Sequence, residues 1–206
     1  RPIQTGPGTI DLSLFPDSAE VVEGELLVGG VRASALADEF GTPLVVYCEG
    51  TVRARAREYR AAAPGALVVY GTKAFPNVAL MRLLADAGLG ADVSTLGELR
   101  YAQSAGIPGE RIVVHGNNKS DEELRAAAEA GAAYVVLDSV EELSRARAAG
   151  GERMLVRITP GIETDTHESI RTGHLGSKFG VTPEEAASLA AEVDGVHVHV
   201  GSQLMH

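Results

Sequence analysis

The sequence predicts an α/β fold: a (β/α)8 TIM-like barrel, incomplete, with about six of the eight strand–helix units present. Three observations predict it. From Leu67 onward, apolar β-branched runs alternate with helix-like segments at a period of about 20 to 22 residues, until one longer last step. Units of that length build parallel sheets, because parallel strands need a crossover. Runs such as Tyr134-Val135-Val136-Leu137 carry no charge, as suits strands covered on both faces. Finally, the first strand–helix turn reads Gly71-Thr72-Lys73-Ala74-Phe75-Pro76, not the G-x-G-x-x-G of a dinucleotide-binding sheet. Polar residues gather instead where each strand ends, the face on which barrels carry their chemistry.

In chain order, residues 1–24 are rich in proline and glycine and read as mostly irregular. Glu25 to Val28 with Gly29-Gly30 read as a strand and turn, and Val31 to Phe40 as a helix closed by Gly41-Thr42-Pro43. Leu44 to Tyr47 read as a strand, and Thr51 as the cap of a basic helix that Pro64-Gly65 ends. Strands are then expected near 67–72, 89–94, 111–115, 133–138, 154–158 and 196–201, with helices near 77–87, 95–105, 120–130, 139–149 and 183–193. Caps stand at Asn77, Ser94 or Thr95, Ser120, Ser139 and Thr182. Terminating glycines stand at Gly88, Gly106, Gly131, Gly150 and Gly195. The expected division is an N-terminal extension over 1–48 and a barrel over 49–206.

Composition narrows the function classes. A net charge of -10 without a lysine/arginine cluster argues against nucleic acid and anionic membranes as partners. No apolar run reaches the roughly 18 residues of a membrane span, and with no basic stretch and apolar run near Arg1 no signal peptide is expected. A single cysteine, Cys48, excludes an internal disulfide and suits a reducing compartment, so a cytoplasmic protein is expected. The first residue is Arg1, which suggests a trimmed or incomplete N-terminus.

The residues at the strand ends are Lys73, Asp92, Ser94, His115, Asn117, Asp138, Ser139, Arg157, His199 and Ser202. Lys73 emerges from the uncharged run Val68-Val69-Tyr70. Burial there would lower its pKa and yield an amine nucleophile able to condense with a carbonyl or with pyridoxal phosphate (PLP). It can equally be a lysine that snorkels at a strand end. Period-2 alternation turns His197 and His199 to one side of the last strand and Val196, Val198 and Val200 to the other. Each histidine alone reads as a satisfied core residue. Asp92 and Arg157 at one barrel mouth are expected to pair. His115, His167 and His174 lack ligand spacing, so no metal site is expected.

Taken together, several segments resemble one family. They are Gly41-Thr42-Pro43-Leu44, Tyr70-Gly71-Thr72-Lys73-Ala74, Asp92-Val93-Ser94 with Gly97-Glu98-Leu99, and His115-Gly116-Asn117-Asn118-Lys119-Ser120. Asp138-Ser139-Val140-Glu141-Glu142-Leu143, Arg157-Ile158-Thr159-Pro160-Gly161 and Thr166-His167-Glu168 follow. The last are Arg171-Thr172-Gly173, Ser177-Lys178-Phe179-Gly180 and His197-Val198-His199-Val200-Gly201-Ser202-Gln203. The family is that of the alanine racemase-fold PLP-dependent decarboxylases, and the resemblance runs from about Leu26 to Gln203.

The resemblance implies that Lys73 is the lysine linked to the PLP aldehyde, that His199 stacks on the cofactor ring and that Ser202 binds its phosphate. It implies that Asp92 and Arg157 stand beside the lysine and the cofactor, and that Glu98 supports the stacking histidine. His115, Asn117, Lys119, His167 and Lys178 fall to loop structure or the site's rim. The Thr-His, Thr-Gly and Ser-Lys-Phe-Gly segments imply meso-diaminopimelate as substrate and L-lysine as product. The alternatives are another basic amino acid, ornithine or arginine, or a non-catalytic PLP-binding barrel. A small-molecule substrate and a homodimer of the full-length parent are implied as partners. The family's glycine-rich phosphate loop, pyridine-nitrogen partner and C-terminal β-domain with its cysteine do not occur in the sequence. The N-terminal strands would partly join that β-domain. A fragment with little activity of its own is therefore expected.

Overall fold

The computed structural model describes residues 11–161 and 178–199, which fall into two compact units. One is Arg1–Ala66 with Asp86–Gly88, the other Leu67–Ala85 with Leu89–His206.

The first unit opens with an antiparallel meander of β1 (Glu20–Val22), β2 (Glu25–Val28) and β3 (Val31–Arg32). Both hairpins turn on two residues of positive φ: Glu23 at 52° with Gly24 at 82°, and Gly29 at 61° with Gly30 at 80°. That backbone matches the right-handed twist of the strands it joins. Two expectations are corrected here. Residues 20–22 are not irregular, and Val31 continues the sheet before helix α1 (Ala33–Phe40) begins. Leu44 to Tyr47 form no strand, because no described strand pairs with them; Val45 is 79% exposed. Helix α2 (Glu49–Ala62) starts ahead of Thr51, with Cys48 at its N-cap.

The second unit is a six-stranded parallel sheet of β4 (Val69–Gly71), β5 (Gly90–Val93), β6 (Ile112–Val114), β7 (Tyr134–Leu137), β8 (Met154–Ile158) and β9 (Gly195–Val198). The strands lie side by side in chain order. That order settles the choice of architecture. A doubly wound sheet reverses direction at a switch point. A sheet that never reverses, with right-handed crossovers, puts all its helices on one face. Those helices are α3 (Val78–Asp86), α4 (Leu96–Ser104), α5 (Asp121–Glu129), α6 (Glu142–Ala148) and α7 (Pro183–Ser188).

The core lies between the sheet and these helices. Ala91, Val93, Ile112, Val114, Val135, Leu137, Met154 and Val156 face outward onto Met81, Leu99, Leu124, Leu143 and their neighbours. The alternate residues face the other way. Gly71 pairs with Asp92 and Asp92 with Val113, while Arg157 pairs with His197. Parallel partners share a face, so this second face is lined by the polar set. It is concave. His115 follows β6 and His197 lies in β9, three strand spacings or about 14 Å apart along a flat sheet, yet their ring centroids are 4.7 Å apart. The sheet therefore curls into part of a barrel.

Local signals account for the helix starts. Ser120 and Glu123 form a capping box before α5, and Thr182 and Glu185 form one before α7, with Pro183 in the first turn. Thr95 caps α4, and Asn77 Oδ1 accepts from Leu80 N at 3.1 Å before α3. Helix α6 begins at Glu142 rather than beside Ser139, with Asp138 N donating to the Glu142 carboxylate at 2.9 Å. Helix α7 ends at Ser188, well before the expected 193.

Candidate functional site

The polar residues of the concave face converge at the C-terminal ends of the parallel strands. Lys73 follows β4 in a short 3-10 turn, Thr72–Ala74. Thr72 is fully buried and its hydroxyl donates to Asp92 O at 2.8 Å, which ties the turn to β5. Lys73 itself is exposed, which corrects the expectation of a desolvated amine. The reason is topological. β4 is an edge of the described sheet, so no strand screens the lysine on that flank. Its charge nevertheless acts on Asp92, His115 and His199.

Asp92 points into the concavity from β5. Burial, with the Glu98 charge adding to it, raises its pKa to about 6 against the opposing pull of Lys73. His115 Nε2 lies 3.4 Å from Asp92 Oδ1 without forming a hydrogen bond, so the two are in contact but not paired. Burial first, then the neighbouring His197, Lys119, Arg157 and Lys73, holds His115 neutral with a pKa lowered to about 3. His197 meets the His115 ring edge-on at 73°. His197 and His199 are also pushed down, first by burial and then by Arg157. All three imidazoles are uncharged at neutral pH.

Arg157 does not pair with Asp92, contrary to expectation. Strands β6 and β7 stand between them, and the adjacent strand β7 ends in Asp138. Arg157 Nη1 donates to Asp138 Oδ1 at 3.3 Å. The other Asp138 oxygen accepts from Gly180 N at 3.0 Å. The guanidinium also lies over the Phe179 ring, 4.6 Å from its centroid. Residues 178–181 are themselves tied to β8, where Val181 N donates to Arg157 O and Thr159 N to Val181 O. Gly180 has φ +72°, and a Cβ there would stand 2.8 Å from Arg157 O.

Behind this ring of residues sits an ion pair that sequence reasoning missed. Lys119 is 2% exposed. Its ammonium donates to Gly116 O at 2.6 Å and Val136 O at 2.7 Å, and pairs with Glu142 Oε2 at 3.0 Å. Asp138 was legible as a polar strand end but not as the partner of Arg157. Glu98 accepts from Ser94 N at 2.6 Å and so fastens the start of α4; no described contact joins it to His199.

Lys73, Asp92, Arg157 and His199 therefore share one strand-end face, and His197, expected to be a satisfied core residue, joins them with its Nδ1 unpartnered among the described residues. Ser202, Ser177, His167, His174 and the Thr166, Arg171, Thr172 and Gly173 segments lie outside the described residues. No group of three potential metal ligands occurs among the described residues.

The donor set fits PLP. An exposed primary amine suits its aldehyde, and the Arg157 cation suits an anion. Neutral imidazoles offer flat faces to an aromatic ring. Asp92 Oδ1 is a buried polar atom with no hydrogen-bond partner among the described residues.

Comparison with known proteins points the same way. Residues 49–206 match the family described as pyridoxal-dependent decarboxylase, pyridoxal binding domain. The chain is 44% identical to the diaminopimelate decarboxylase of Actinosynnema pretiosum subsp. auranticum, covering 98% of this chain and 49% of that protein. Among solved structures, it resembles diaminopimelate decarboxylase from M. jannaschii in complex with L-lysine, at 35% identity and TM-score 0.78, over 91% of this chain and 49% of that one. It also resembles the lysine/ornithine decarboxylase of Vibrio vulnificus complexed with putrescine, at 25% identity and TM-score 0.69, over 84% of this chain and 46% of that one. The chain spans about half the length of the curated relatives it matches.

Proposed function

The chain belongs to the pyridoxal-dependent decarboxylases, and from that membership we propose that it forms the PLP-binding part of an enzyme that converts meso-diaminopimelate to L-lysine and CO2. The observation that carries the reading is the convergence of Lys73, Asp92, Arg157 and His199 on one strand-end face of a parallel sheet. The choice of diaminopimelate over ornithine or arginine rests on the relatives at 40% to 44% identity.

When bound, PLP supplies an electron sink for the pair left behind as CO2 departs. The chain's residues do the rest. Lys73 is exposed, so an aldehyde can reach its amine. Asp92, with a pKa of about 6, can hold or release a proton at Oδ1 close to neutral pH. Arg157 is held by Asp138 and Phe179, so its guanidinium keeps one orientation toward an anion. His199 stays neutral beside two cations and so offers its ring face for stacking without adding charge. Ser202 is assigned the cofactor phosphate on the family resemblance.

We assign 1–48 to an N-terminal extension and 49–206 to the PLP-binding barrel, a boundary supported by where the family match begins. A small-molecule amino acid as ligand, a homodimer of the full-length protein and a cytoplasmic location belong to the same proposal. Among the described residues no helix is long and apolar enough to cross a membrane.

The test is covalent trapping. Incubation with PLP followed by borohydride should leave a reduced adduct on the peptide containing Lys73, absent in Lys73→Ala. An adduct spread over several surface lysines would overturn the assignment. In a protein of the relatives' full length, CO2 release from diaminopimelate but not ornithine tests the substrate.

A further inference from the structure

We propose that His115 is a positioning residue: braced edge-on by His197, its imidazole sets the environment of the Asp92 carboxyl beside Lys73. The proposal deepens the reading above and rests on it, since it assigns a task to a group that reading leaves at the rim.

The geometry carries it. His115 is fixed by its backbone, whose N–H donates to Val93 O at 2.7 Å and so places the residue one strand over from Asp92. The side chain then approaches Asp92 Oδ1 at 3.4 Å, and the His197 ring centroid stands 4.7 Å from its own. His197 is itself held in register with Arg157. An imidazole in contact with both a carboxyl and a second ring is held by both. Neither Asp92 Oδ1 nor His197 Nδ1 has a hydrogen-bond partner among the described residues. His115 Nε2 stands 3.4 Å from that oxygen. Had a carboxylate met a cationic imidazole here, the two would form a simple ion pair. Burial first, then the neighbouring His197 and the cations Lys119, Arg157 and Lys73, instead keep His115 neutral. A neutral ring can tune how readily Asp92 gains or loses a proton without fixing its charge.

Four other groups face or act on Asp92 or its neighbour. Lys73, from the turn after β4, favours the carboxylate, and Glu98 of α4 disfavours it. Arg157 and Lys119 act on His115. Changing His115 alone leaves all of these in place, which isolates its effect.

The experiment is a 13C NMR titration of the Asp92 carboxyl in the intact PLP-free chain, assigned with Asp92→Asn. Asp92 should titrate near pH 6 in the unaltered chain. In His115→Phe the midpoint should rise by about one unit, because an apolar ring replaces the nearby polar one. His115→Gln should restore it to within about 0.3 units. His197→Phe keeps the edge contact and should leave the midpoint unchanged, whereas His197→Ala frees His115 and should raise it. Amide spectra report folding for each variant. If His115→Phe does not fold, the His197→Ala and His197→Phe pair decides the matter. The proposal is overturned by an unmoved midpoint in folded His115→Phe, by an equal rise in His115→Gln, or by no difference between the two His197 variants. In the PLP-loaded chain, the acid limb of the pH profile for Lys73 adduct formation should move with the Asp92 midpoint. Loss of the Lys73 adduct in the unaltered chain sinks the PLP reading but leaves the titration result standing, so the two failures are distinguishable.

Discussion

Replacing Lys119 with methionine should unfold the strand-end face locally before anything else. The ammonium makes three contacts within 3.0 Å: two backbone carbonyls and the Glu142 carboxylate. Lys119→Met removes the charge but keeps most of the volume, so a cavity contributes little. What remains is a carboxylate buried to 5% exposure without its cation. Breaking one side of a buried pair costs about 3–5 kcal/mol. That is a large share of the roughly 5–15 kcal/mol by which a domain is stable. Native-state hydrogen exchange at the β6 and β7 amides reads this unit by itself. Protection there should fall by between two and four powers of ten, since about 1.4 kcal/mol is tenfold. Glu142→Gln alone leaves a buried ammonium and should cost a similar amount, although its amide oxygen can still accept from Asp138 N. The double variant has neither orphaned charge, so its loss should be smaller than the sum of the singles by about 2–3 kcal/mol. Strictly additive losses, or a Lys119→Met cost below about 1 kcal/mol, would refute the reasoning.

Three further outcomes follow from the same geometry. The folded pKa of Asp92, about 6, lies above the ordinary 3.8, so the folded chain binds more protons than the unfolded chain between those values. Its stabilising contribution is full below the unfolded pKa and is lost as pH rises through about 6. Asp92→Asn should therefore be more stable than the parent by about 1–2 kcal/mol at pH 7 and equal to it near pH 4 in urea denaturation. Gly180→Ala forces a side chain onto φ +72° and against Arg157 O and Thr159 Oγ1, each 2.8 Å from the new Cβ. A cost of about 1–3 kcal/mol should lower Tm by about 3–9 °C in thermal denaturation. The Cys48 thiol, lowered to about 7 chiefly by the Ser18 hydroxyl, should be alkylated by iodoacetamide with a pH midpoint near 7, and Ser18→Ala should move that midpoint up.

The parallel sheet was legible because its signals are local and repeat. Caps at Asn77, Thr95, Ser120 and Thr182 act within one helical turn, and strand residues announce themselves by branching and lack of charge. The second strand-end histidine was also visible, since His197 shares the parity of His199; only its core assignment was wrong. The β1–β2 hairpin was missed although Glu23-Gly24 between valine and leucine runs is a two-residue turn signal. What the sequence hid depends on which strands become neighbours. Asp92 was matched to Arg157 as opposite charges at one barrel mouth, but charge does not choose a partner across two intervening strands. Asp138 on the adjacent strand does, and its second oxygen is held by Gly180, 42 residues away. No local pattern marks Lys119 and Glu142 as buried either, because lysine and glutamate at helix starts are ordinarily solvated.

The exposure of Lys73 belongs with these long-range effects, and it bears on how the site works. Burial was expected to make the amine reactive. Yet the groups in this concavity whose pKa shifts are led by burial are its partners: Asp92 is raised, and His115, His197 and His199 are lowered. Each is pushed toward its uncharged form, and each push costs folding free energy. The result is a polar wall that can accept charge on a ligand without already carrying its own. The cationic charge of this face, among the described residues, stands on Arg157, paired with Asp138 and lying over Phe179, and on Lys73 at the open edge, while Glu98 adds a negative charge that acts on Asp92. Such an arrangement suits an anionic, carbonyl-bearing ligand: the amine can be reached, one cation is oriented, and Asp92, partly protonated near neutral pH, repels negative charge less than a full carboxylate would. Asp92→Asn should accordingly tighten the binding of a small anion such as inorganic phosphate above pH 6 and leave it unchanged near pH 4, where the aspartate is already neutral.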